Sequence, residues 1–133
     1  FKTATRGMPT HIHHGSYRHR EGYKGALALL QEGVTALIAG DSMMTAGALE
    51  ACHNAGKRIG EEIALVGFDD FIYLRFQPSP ISVVDQDVAR MGETATAKLI
   101  AAINDKHQPE GEVLETRYIP RMSTAHQLDG ATP

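Results

Sequence analysis

The chain has 133 residues, a length for one domain or part of one. Hydrophobic residues at 42% and charged residues at 22% give a globular balance that excludes a disordered tail, and thirteen Lys+Arg against sixteen Asp+Glu leave a net charge of −3, which argues against direct DNA or RNA binding by this stretch. One cysteine, Cys52, leaves no internal disulfide and no cysteine-based zinc site, and no apolar run reaches the roughly 20 residues of a membrane span.

No signal-peptide pattern opens the chain, and its first residue is Phe rather than Met. These features predict a soluble, cytoplasmic fragment whose natural N-terminus lies upstream. Residues 1–9 are a polar lead-in punctuated by Gly7 and Pro9, and residues 10–14 read as a short extended segment broken at Gly15-Ser16. From 20 to 32 the apolar positions Tyr23, Ala26, Leu27 and Leu30 fall at i, i+3, i+4 and i+7, one helix face, closed by Gly33. Residues 35–39, TALIA, form a continuous apolar run, the pattern of a strand buried on both faces. Asp41 follows at once, placed to cap a helix over 42–55 that is rich in small residues and stops at Gly56.

Residues 63–66 are a second buried strand, ending in Gly67-Phe68-Asp69-Asp70. The stretch 71–80 is predicted irregular, with Pro78 and Pro80 opposing regular structure, and 81–84 is a third strand. A long helix over 87–104 carries Val88, Met91, Ala95, Leu99, Ala102 and Ile103 on one side. A last strand is expected within 113–119, and the tail from Ala125 is expected to fray. No internal repeat or low-complexity segment is present.

The order βαβαββαβ predicts an α/β fold, a mostly parallel sheet with helices on both faces. In open sheets of this kind ligands sit beyond the carboxyl ends of the strands. The informative residues are then 14–17, 40–41, 69–70 and 85–86.

No common enzyme motif occurs, neither a nucleophile elbow, a P-loop, a dinucleotide fingerprint nor H-E-x-x-H. His11, His13, His14 and His19 cluster locally, and His11 and His13 on a strand would share a face and could share a metal. Flanking Arg18 and Arg20 oppose a cation there, which favours a solvated strand end. Asp69-Asp70 could hold magnesium only if a turn brings the two carboxylates together, because adjacent extended residues point opposite ways. The preferred alternative gives one carboxylate to a ligand's hydroxyls and the other to capping the next turn. Tyr17 could offer its ring to a sugar or base, or sit in a core. Gln86 could orient a ligand through its amide, or satisfy loop backbone. Met43 and Met44 read as packing residues, and Cys52 as a buried, inert thiol.

Several segments together resemble one family. TALIAGDSMMTAGALEACHNAGKRIGEEIALVGFDD, then PSPISVVDQDVARMGETATAKLI, then RYIPRMST, are similar to the effector-binding region of lactose-repressor and galactose-repressor regulators, and the preceding EGYKGALALL fits as well. The resemblance covers about residues 15–124. The combination of VGFDD with a terminal R-x-S-T favours this family over periplasmic sugar-binding relatives.

The resemblance implies two similar α/β subdomains around a ligand cleft, with a DNA-reading helix-turn-helix that this stretch lacks. Residues 1–86 would be the main part of the C-terminal, periplasmic-binding-protein-like subdomain. The helix within 87–112 would pack on the missing subdomain, 113–124 would return as a strand, and 125–133 would be a tail. It implies ligand contacts at Tyr17, Asp69 and Gln86, with Asp41 retained as a helix cap near the cleft. Gly40 stands where sugar-responsive members often carry asparagine, while purine-responsive members are among those with glycine. The implied homodimer surface includes Met44, Ala48 and Cys52 of the small-residue helix, and Phe71, Tyr73 and Phe76 of the Pro-flanked loop.

The expectation is a non-enzymatic module without cofactor or metal. It would bind a small polar effector, a sugar or related metabolite, and bias distant DNA-binding heads, with no membrane partner. A secreted sugar-binding protein and a small magnesium-dependent phosphotransferase are the alternatives.

Overall fold

The computed structural model of the chain describes residues 2–105 and 110–128. In chain order the elements are α1 (His19–Gln31), β1 (Ala36–Ile38), α2 (Ser42–Asn54), β2 (Ala64–Phe68), α3 (Ile72–Arg75), β3 (Ser82–Asp85), α4 (Val88–Asp105), β4 (Arg117–Ile119) and α5 (Met122–Leu128). The strands form one open sheet in the order β1-β2-β3-β4, with β1–β2 and β2–β3 parallel and β3–β4 antiparallel. The α/β, mostly parallel architecture is thus as the alternation of elements predicts.

Register decides which side chains share a face. Leu37 lies beside Leu65, and Gly67 beside Val83, which in turn faces Ile119. This is the core face: Leu65, Ile81 and Val83 are fully buried, with Ile63 and Leu74 against them. Burial of each such aliphatic side chain contributes about 1.5–3 kcal/mol. Helices α1 and α2 cover this face, with Ala26, Ala48, Ala51 and Cys52 in the core. The two helices cross closely because glycines meet there: a Cβ on Gly22 would stand 2.5 Å from the Met44 Cα, and one on Gly47 would strike the His19 carbonyl. Burial pushes the Cys52 thiol up to about 11, which makes it the inert thiol expected.

On the opposite face α5 is fastened by hydroxyls. Ser123 Oγ donates to the Leu65 carbonyl at 2.6 Å and accepts the Ser82 N–H at 2.8 Å, while Ser82 Oγ pairs with Thr124 Oγ1 at 2.7 Å. Helices therefore lie on both faces.

Three local expectations differ from the structure. Residues 10–14 join no strand; the sheet ends at β1. The stretch 71–80 contains a helical turn, α3, whose Leu74 is fully buried and binds Ile81 through both its backbone groups' neighbourhood, with Ile81 N–H donating to the Leu74 carbonyl at 2.9 Å. The expected frayed tail begins as α5, held by the hydroxyls above; residues 129–133 of that tail lie outside the described residues. Helix α4 has no buried residue among those described, and its Leu99 and Ile103 are 60% and 67% exposed.

Candidate functional site

Three loops converge at the carboxyl end of the parallel strands: residues 39–41 after β1, 69–71 after β2 and 86–87 after β3. Asp41 leaves β1 in an extended conformation and caps α2, its Oδ1 accepting the N–H groups of Met43 at 2.8 Å and Met44 at 3.1 Å. Two of the helix's orphan donors are thereby satisfied. Gly40 beside it faces open space where a side chain would begin.

Asp69 sits in the left-handed region with φ 59, a conformation that aspartate tolerates better than most residues. The turn keeps its carboxylate buried at 8% exposure, where Gln86 Nε2 donates to its Oδ1 at 2.9 Å. The Asp69 N–H donates to the Val84 carbonyl, which ties the end of β2 to β3. An acceptor-only carboxylate and an amide with both donor and acceptor capacity thus stand side by side, a pairing suited to sugar-like hydroxyls.

Asp70 turns the other way. Its Oδ1 accepts Arg121 Nη2 at 2.7 Å and its Oδ2 accepts Arg75 Nη2 at 2.8 Å. Burial pushes its carboxyl up, but the hydrogen bonds and charges of Arg121 and Arg75 outweigh this and hold it below the ordinary aspartate value. The two aspartates therefore diverge and cannot jointly bind magnesium, which removes the phosphotransferase alternative. Asp87 is the second non-glycine residue with positive φ, at 52, and its Oδ1 accepts the Arg90 N–H as α4 begins.

The structure joins Asp69 to Gln86 but not to Tyr17. Tyr17 lies on the turn before α1, 78% exposed, with no described hydrogen bond or ring contact to the pair. The histidines do not converge either: His19 pairs with Glu50 at 3.1 Å, the His13 ring lies over Gly25, and no group of three metal-ligating side chains forms among the described residues.

Sequence reasoning missed Thr45. Fully buried, it donates from Oγ1 to the Asp41 carbonyl at 2.8 Å and accepts the Phe68 N–H at 3.0 Å, so one hydroxyl fixes the residue preceding Asp69 to the start of α2. A threonine in a run of small helical residues carries no signal of that role.

Of the expected dimer residues, Ala48 at 4% and Cys52 at 0% exposure are taken into this chain's own core by the α1–α2 contact, so they form no part of an outer surface. Met44 is half-buried. Phe71 and Phe76 are exposed at 44% and 79%, and Phe71 stacks on Tyr73 with ring centroids 6.0 Å apart. Burial and the nearby Asp41 charge push the Tyr73 hydroxyl up, which places this aromatic turn beside the α2 cap.

The model of the periplasmic binding protein-like domain matches residues 3–124. The HTH-type transcriptional regulator MalR of Streptomyces coelicolor is 30% identical over 115 residues, which are 86% of this chain and 33% of MalR. A probable LacI family transcriptional regulator from Corynebacterium glutamicum superposes with a TM-score of 0.80 at 34% identity, over 92% of this chain and 44% of that one. The structure of a transcriptional regulator CelR–cellobiose complex gives 0.79 at 27% identity, over 92% and 39%. The chain spans about a third of the length of the curated relatives it matches, and those relatives are transcriptional regulators rather than enzymes. The chain belongs to the periplasmic binding protein-like domain family, as part of the effector-binding region of a LacI/GalR-type transcriptional regulator.

Proposed function

We propose that the carboxyl end of the sheet holds a small polyhydroxylated effector, a sugar or related metabolite, with Asp69 and Gln86 as its hydrogen-bonding floor. The observation that carries this reading is the buried Asp69 carboxylate, turned by a left-handed backbone onto the Gln86 amide at the mouth of two parallel strands. Tyr17, exposed ahead of α1, supplies an apolar ring face to the sugar once the cleft closes. Open space at Gly40 leaves room for a second sugar ring, in keeping with the cellobiose complex of CelR.

The cleft is completed by a second subdomain, on which α4 docks its Val88, Met91, Leu99 and Ile103 side, exposed throughout this chain. The effector binds one relative orientation of the two subdomains better than the other. A coupling of about 1–3 kcal/mol suffices to bias DNA-reading heads carried elsewhere in the polypeptide. Two copies pair through the aromatic turn of Phe71, Tyr73 and Phe76 with Met44 at its edge, in the cytoplasm where such regulators meet DNA.

Titration calorimetry of a family-length polypeptide carrying this region, against a panel that includes cellobiose, lactose and their monosaccharides, tests the site. Asp69→Asn removes a charged acceptor worth about 1.5–3 kcal/mol, so affinity for the binding sugar falls at least about tenfold while the unfolding midpoint changes little. Unchanged affinity in that variant, or no heat from any sugar in the panel, overturns the assignment.

A further inference from the structure

Two walls of unpaired backbone face each other across a groove on the β1 side of the sheet. One wall is the outer edge of β1. Its inner edge is bonded to β2, with the Ala64 N–H donating to the Thr35 carbonyl and the Ala39 N–H to the Val66 carbonyl, both at 2.9 Å. Strand alternation then turns the N–H and C=O groups of Ala36 and Ile38 outward, where they take no partner among the described residues. The other wall is residues 9–15, which form no helix, strand or turn and make no backbone hydrogen bond among the described residues. The floor is Gly22, Gly25, Ala26 and Leu29 of α1 with Met44 and Ala48 of α2.

The groove has a volume of about 860 Å³. Strand spacing of about 4.8 Å, layer spacing of about 10 Å and a rise of about 3.3 Å assign roughly 160 Å³ to each residue of a packed strand. The groove therefore accommodates about five residues of one strand, the usual strand length, and not two strands. Chain order agrees. Residues 9–15, α1 and β1 form a strand-like, helix, strand crossover, and open doubly wound sheets often bring such a crossover back two positions away, with one strand between. The floor of glycine and alanine leaves depth for large aliphatic side chains on the inward side of that strand.

We propose that this groove seats one further β-strand, apolar on its inward side, supplied in a family-length chain by polypeptide outside these 133 residues. The matched 115 residues are 33% of MalR, so a family polypeptide has ample further chain for it. The inference is independent of the effector reading, and its failure leaves that reading untouched.

The test adds the blocked peptide acetyl-Thr-Ile-Thr-Val-Thr-Ile-amide to the isotope-labelled 133-residue chain and follows amide hydrogen exchange by NMR. Exchange at Ala36 and Ile38 slows at least about tenfold with peptide, the sign of new hydrogen bonds at an edge. The same peptide with its amides N-methylated gives no slowing. Ile38→Pro, tolerated on an edge strand, removes an outward donor and abolishes the effect at Ala36. Ile38→Lys keeps the backbone donor and retains the effect; if the proline variant fails to fold, the N-methylated peptide makes the same distinction. Absence of slowing at millimolar peptide, or equal slowing by the N-methylated peptide, overturns the proposal. Protection of Ala36 and Ile38 that grows with protein concentration in the absence of peptide assigns the groove to a second copy, and overturns it too.

Discussion

At the scale of single residues, the neighbouring aspartates show how one turn divides two identical side chains between different tasks. Asp69 is presented to the cleft and Asp70 is committed to Arg75 and Arg121. Because Asp70 has its carboxyl held below the ordinary value, its contribution to stability is present above the unfolded value of about 3.9 and is lost as pH falls from there through the folded value. Urea unfolding followed against pH should show this acid-side loss in the wild type and a smaller one in Asp70→Asn. An identical acid dependence in that variant would discard the role given to the arginine pair. Thr45→Val keeps the volume of a fully buried side chain but strands the Phe68 N–H, so we expect a loss of about 1–3 kcal/mol in the same unfolding measurement. A change within a few tenths would show that the N–H finds another partner.

Elements were legible from sequence to the extent that their causes are local. The 3.6-residue spacing of Tyr23, Ala26, Leu27 and Leu30 marks α1, and continuous apolar runs mark β1 to β3. Residues 10–14 carry a strand-like pattern but no partner lies beside them, and a strand exists only through pairing that periodicity does not encode. α5 escaped notice because its fastening is distant: Ser123 reaches Leu65 and Ser82, and Arg121 reaches Asp70. In the site, Asp69 and Gln86 were findable as polar residues at strand ends, whereas the inward burial of Ala48 and Cys52 depends on the α1–α2 crossing and left no trace in composition. Helix α4 is the opposite case, plain in sequence yet unsupported by packing. Isolated helices of this length are marginal. Its amides should exchange with solvent at least about a hundredfold faster than those of α2, whose cap and core contacts hold it. Equal protection of α2 and α4 would mean that α4 is covered in solution.

For the whole molecule, the exposed aromatics decide the expected assembly. Phe71 and Phe76 flank a turn anchored by buried Leu74, so the rings are held on a fixed base rather than on a floppy loop. Phe71→Ser together with Phe76→Ser should weaken self-association by at least about tenfold in sedimentation, with secondary structure retained. An unchanged association constant would move the interface elsewhere, α4 being the next apolar surface.

The fastening of α5 has a consequence for biosynthesis. The Leu65 carbonyl and the Ser82 N–H receive their partner from Ser123, among the last residues to leave the ribosome. A nascent chain halted before Pro120 carries β2 and β3 in full, yet lacks the hydroxyl that closes them and the guanidinium that answers Asp70. Translation of this region thus withholds its own latch until the end, and premature termination yields a product whose sheet stays ajar.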